Sequence, residues 1–324
     1  MINKHFSITQ LIFFVLLFTL YTEGVTAQQE GQQTLFMFNA LTINPAVSGS
    51  RDIPTLTLMT RNQWMGFKGA PVQQSLSFHS PLFSKRLGFG VALSNRHIGI
   101  FSSQTASMAW SYSPIRTKDF MLRIGLQGSA KRLVFDFETP DQAITIANER
   151  KLTTELNPRV LGNFGMGVFM LYKESYLGFS VPYYYSNILG VNSETPTTAL
   201  GRPHYYFMAG LKFPLLDKVF WMPSGIVKKV ANAPWGLEAN SSLVYDDKIT
   251  LGLSYRAGKS NLEDIGESVA LLTFYQVSNN WGIGCAYDFN LSPLKKYTTG
   301  SFEAVMRYDL KHSAMRLSNP RVFF

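Results

Sequence analysis

The chain has 324 residues, of which 46% are hydrophobic and 14% aromatic but only 16% charged, with a formal charge of +9. An average soluble domain carries about 25% charged residues, so this composition argues against an ordinary water-facing surface. The single cysteine, Cys285, excludes an internal disulfide framework and a multi-cysteine metal site, and the 30 basic residues are too scattered for a nucleic-acid footprint.

Lys4, the apolar stretch from Leu11 to Leu20 and the small residues Val25-Thr26-Ala27 have the layout of a secretory signal peptide, residues 1–27, cleaved before Gln28. The apolar core is about half the roughly twenty residues a membrane helix needs. Residues 28–52 differ in kind. From Gln33 to Ser50 they are apolar but punctuated by Asn39, Asn44-Pro45 and Gly49. They read either as a compact plug inside the fold that follows or as a strand-leading turn packed at its rim.

From residue 53 to residue 310 the hydrophobic period is two. Phe120, Leu122, Ile124, Leu126, Gly128 and Ala130 alternate with Met121, Arg123, Gly125, Gln127, Ser129 and Lys131, an apolar face against a polar one. The same pattern recurs at 203–213, 248–257 and 300–310. Strands are expected over 53–63, 72–80, 87–96, 102–113, 119–132, 159–171, 174–183, 203–213, 218–228, 235–245, 248–257, 268–277, 280–290 and 300–310. Each is long enough to cross a bilayer when tilted. Connections after even strands are short, including turns at Pro114 and Pro214; several after odd strands are long and polar, notably 133–158 and 184–202. Residues 311–324 form a tail with a terminal aromatic, Phe324.

These features predict an all-β fold, a transmembrane antiparallel β-barrel of about fourteen strands with both termini on the periplasmic side. A soluble β-sandwich also alternates, but its strands usually run to about five or six residues. Aromatics near strand ends, among them Trp64, Tyr112, Tyr172, Trp221, Tyr245 and Tyr308, suit interfacial girdles.

No catalytic, cofactor-binding or metal set is expected. His79 shares a polar face with Ser75 and Ser77 and reads as a lumen or turn residue rather than a ligand, while Cys285 alternates with Ile283 and Tyr287 on the apolar face. The pairs Gly88/Gly90, Gly165/Gly167 and Gly282/Gly284 have strand spacing and point inward, which suits a narrow lumen rather than a phosphate loop. The long loops are the expected binding surface, with Phe135, Phe137, Ile188 and Leu189 as apolar anchors.

The run from Phe38 to Ser50, with Asn39, Asn44, Pro45 and Gly49, and the following Trp64, Gly66, Phe67, Gly69 and Pro71 within 61–82 closely resemble the opening of the PorP/SprF family of type IX secretion in the Bacteroidota. LGFGVALSNRHIG at 87–99 and YLGFSVPYY at 176–184 extend the resemblance along the mature chain. It implies a non-enzymatic outer-membrane component of secretion and gliding machinery that helps export particular proteins or adhesins and holds them at the surface. The implied partners are the C-terminal domain of a secreted client, other secretion components and outer-membrane lipid. The motif residues look structural. An alternative is a porin-like or FadL-like channel, with Arg123, Lys131, Lys212, Arg256 and Arg307 lining an anion-preferring lumen, although the same charges suit equally the interior of a filled barrel, paired with Glu303 and Asp309.

Overall fold

The computed structural model describes residue 31 and residues 33–83, 85–135, 159–184, 203–230, 235–258 and 267–310. Fifteen strand segments form one antiparallel sheet: β1 (Thr55–Met65), β2 (Val72–Leu82), β3 (Leu87–Ile98), β4 (Phe101–Arg116), β5 (Phe120–Phe135), β6 (Arg159–Tyr172), β7 (Ser175–Val181), β8 (His204–Gly210), β9 (Phe213–Leu216), β10 (Val219–Val230), β11 (Gly236–Tyr245), β12 (Ile249–Gly258), β13 (Ser268–Gln276), β14 (Trp281–Asn290) and β15 (Gly300–Asp309). β1 pairs with β15 from Thr55 opposite Asp309 to Met65 opposite Gly300. The sheet therefore closes into a barrel, and closure removes the open edge that lipid cannot satisfy. β8 and β9 pair in turn with the two ends of β10. They are halves of one stave, which leaves fourteen.

The break between those halves falls at Leu211-Lys212. Lys212 turns inward there, reaching Glu174 at 2.8 Å and Asp247 at 3.0 Å and lying 4.1 Å above the Phe220 ring. A buried ammonium needs such partners, and they lie at two different turns.

Alternation sorts every stave into two faces. In β5, Ile124 and Leu126 are about half exposed on the outside, whereas Arg123 and Gln127 are buried inside. β12 and β15 repeat this, with Leu251, Leu253 and Met306 outward and Thr250, Arg256, Glu303 and Arg307 inward. Near the short-turn rim, Phe89 and Trp110 meet at 4.7 Å, Trp281 and Tyr308 at 4.5 Å and Phe213 and Trp221 at 5.5 Å. Toward the other rim Tyr287 and Phe289 meet at 4.9 Å. Amphipathic rings at both ends of an apolar wall are the pattern of a membrane barrel.

Three expectations about strand ends also differ from the structure. Pro114 is not a turn residue: β4 continues to Arg116 across a register shift between Tyr112 and Ile115, and a bulge leaves unpaired the residue that lacks an N–H. Pro214 likewise lies within β9, opposite Phe220 and beside a register shift. Leu133, Val134 and Phe135 belong to β5 rather than to the following loop, with Phe135 opposite Phe101, consistent with the β-preference of such residues.

Candidate functional site

The chain before β1 lies inside the barrel. Residues 33–50 make three short 3-10 turns, Phe36–Phe38, Ala40–Thr42 and Pro45–Val47. A closed wall offers no strand edge to pair with, so their backbone groups are satisfied by their own turns and by side chains of the wall. Leu35, Phe36, Met37, Phe38, Ala46 and Val47 are all buried, and Phe38 stacks on Phe274 of β13 at 4.3 Å. Each large apolar side chain buried there contributes about 1.5–3 kcal/mol.

Polar residues fix the register of this segment against the wall. Asn39 donates to Ser75 Oγ at 3.0 Å and accepts from Ser77 at 2.7 Å, both on β2. Asn44 donates to the Val168 carbonyl of β6 at 3.0 Å, and its Oδ1 accepts from the Ala46 N–H, capping the turn that Pro45 opens. The wall beneath is bare: a Cβ on Gly125 would come within 2.3 Å of the Ala46 nitrogen, and one on Gly167 within 2.1 Å of Asn44 Oδ1. Gly49 adopts a left-handed φ of 68° and donates to His79 Nδ1 at 3.3 Å, so His79 is a luminal acceptor.

Two ion clusters hold the ends of the segment. In the long-loop half, Arg61 of β1 meets Glu303 of β15 at 2.6 Å and also reaches Asp288 of β14. Arg256 of β12 meets Glu238 of β11 at 3.0 Å and Asp288 at 3.1 Å. Thr34 lies among them: its hydroxyl donates to Asp288 and accepts from both arginines, and its N–H, with that of Leu35, donates to Glu303. In the short-turn half, Arg51 pairs with Asp309 at 3.0 Å and Asp52 with Arg116 at 2.7 Å. Arg307 contacts Asp309 at 3.5 Å, while Arg123 donates to Ser111 at 2.6 Å.

Beside the upstream end of the segment is a recess of about 80 Å³ lined by Gly31, Gln33, Arg96, Lys131, Tyr183, Tyr206, Lys228 and several hydroxyls of β3 and β4. On the same rim, the β1–β2 connection is a tight hairpin. Trp64 has a left-handed φ of 53° and donates its N–H to Ser301 Oγ, while Gly66 and Gly69 have φ of 91° and 75°. The Phe67 and Ala70 N–H groups turn back to Trp64 and Phe67, and the Pro71 carbonyl accepts from Gln63. Phe67 is left half exposed at the tip.

The model of the type IX secretion system membrane protein family PorP/SprF matches residues 25–308. The chain belongs to that family. This PorP/SprF protein is thus a type IX secretion component with the fold of an outer-membrane barrel. No curated protein matches its sequence. Solved structures with a similar fold include Omp33 of Acinetobacter baumannii, 7% identical over 80% of this chain and 99% of that one, with a TM-score of 0.45. The toluene transporter TodX of Pseudomonas putida is 12% identical over 88% and 99%, with a TM-score of 0.48. A Pseudomonas aeruginosa FadL homologue is 12% identical over 85% and 94%, with a TM-score of 0.44.

The PorP/SprF motif residues thus fall into two places: Asn39, Asn44, Pro45 and Gly49 inside the barrel, and Trp64, Gly66, Phe67, Gly69 and Pro71 in the rim hairpin. Phe135 ends β5, and Phe137, Ile188 and Leu189 lie outside the described residues. Sequence reasoning overlooked Arg61, Glu238 and Asp288. The available signal was a charge at an inward position of an alternating strand.

Proposed function

We propose that this protein is a non-enzymatic scaffold of type IX secretion that helps export particular proteins and holds them at the cell surface. The observation that carries this reading is the occupied lumen. Residues 33–50 bond to β2, β6, β14 and β15, and act as a plug, so the barrel supplies a rigid frame rather than a conduit. The occupied lumen also weighs against the channel alternative. In this reading the signal peptide is removed before Gln28, the short-turn rim faces the periplasm and other secretion components, and the long-loop rim faces outward in a member of the Bacteroidota. The C-terminal domain of the client docks on that rim. Loops on a rigid frame are where binding residues concentrate, and Phe67, with Phe135, Phe137, Ile188 and Leu189, supplies apolar anchors of the kind that dominate interfaces.

Shortening loops 136–158 and 185–202 in a strain lacking the native copy tests this. The client is expected to be lost from the surface while the barrel still assembles. A client that stays in place after both loops are trimmed contradicts the docking assignment.

A further inference from the structure

The segment inside the barrel has a direction. Gly31 lies against the Gln73 side chain, one residue from the start of β2, and lines the long-loop recess with Arg96 and Lys131. Thr34 and Leu35 bond to Glu303, near the long-loop end of β15. Asn39 reaches Ser75 and Ser77, further down β2. Ser48 accepts from Ser111, and Gly49 donates to His79, both in the lower half of their strands. Asp52 then pairs with Arg116, the last residue of β4, and the Pro54 carbonyl accepts from Leu310, just past the end of β15. The chain therefore enters the described structure on the long-loop side and leaves the lumen on the short-turn side. This differs from the expectation that both ends of the mature chain share the short-turn rim. That expectation rests on counting staves, and residues 31–54 add a traverse that is not a strand.

We propose that the mature N-terminus is displayed at the cell exterior, on the long-loop rim. This rests on the outward orientation of the long-loop rim adopted above. With cleavage before Gln28 only three residues precede Gly31, and at about 3.3–3.6 Å each they cannot turn back through the lumen to the other rim. The residues bonded to Thr34 and Leu35 belong to β1, β12, β14 and β15, so both sides of the β1–β15 seam hold the segment.

The experiment uses the full chain in intact cells, in a Cys285→Ser background, with single cysteines labelled by a membrane-impermeant maleimide. Gln29→Cys and Glu30→Cys probe the inference. Lys68→Cys, in the exposed β1–β2 hairpin, reports the long-loop rim, and Asn279→Cys, in the exposed β13–β14 turn, reports the short-turn rim. The expected result is labelling of Gln29→Cys and Glu30→Cys to the same extent as Lys68→Cys, with Asn279→Cys labelled only after the outer membrane is permeabilised. If the controls behave so but both N-terminal positions label only after permeabilisation or denaturation, the inference is overturned. If the controls exchange behaviour, the orientation of the barrel is wrong instead.

Discussion

At the scale of single residues, the wall is shaped for what lies inside it. Gly125 and Gly128 occupy the same strand, but a Cβ on the first would meet the Ala46 backbone within 2.3 Å, whereas one on the second meets nothing within 4 Å. Gly125→Ala is expected to cost about 1–3 kcal/mol through overpacking and Gly128→Ala to be neutral. The temperature at which the folded, fast-migrating form is lost on gels reports both. Arg61 makes a second case. Arg61→Met leaves Glu303 buried without its arginine and is expected to cost about 3–5 kcal/mol. Arg61→Met with Glu303→Leu should recover part of that loss, since Asp288 keeps Arg256. With Glu303→Leu measured alone, a double variant whose loss equals the sum of the two single losses would show that the pair is not coupled.

At the scale of elements, the two faces of each stave make opposite demands on one substitution. Ile124→Arg places a charge on the outer wall of β5 and is expected to cost about 2–4 kcal/mol at mid-membrane. Ser107→Arg points into the recess and should be tolerated, so equal folded yields in outer-membrane preparations would contradict the face assignment. These faces were legible because the period of two persists through whole strands, as in Phe120–Phe135 and Gly300–Asp309. Strand ends were less legible. Proline reads as a terminator, yet bulges accommodate Pro114 and Pro214 within their strands. The segment at 33–50 has no period at all, and its two readings could not be separated because all its wall partners are distant in sequence, from Arg61 and Ser75 to Val168 and Glu303. The ion clusters were legible in part: Glu303 falls on the inward face of β15, but Arg61 reaches it and Asp288 only through closure, while Glu238 meets Arg256 through the pairing of β11 with β12.

At the scale of the molecule, β1–β15 pairing makes a continuous wall, and residues 33–50 join it across the lumen to strands on several sides. Among the described residues, a recess of about 80 Å³ lies beside the segment, room for a few water molecules. A scaffold and a channel built on the same fourteen staves differ in this respect. Planar-bilayer recording of the purified full-length protein is therefore the most direct measurement. A plugged barrel is expected to pass no steady current when intact and a steady ohmic current once residues 33–50 are removed; a steady open-pore current from the intact protein is incompatible with a plug.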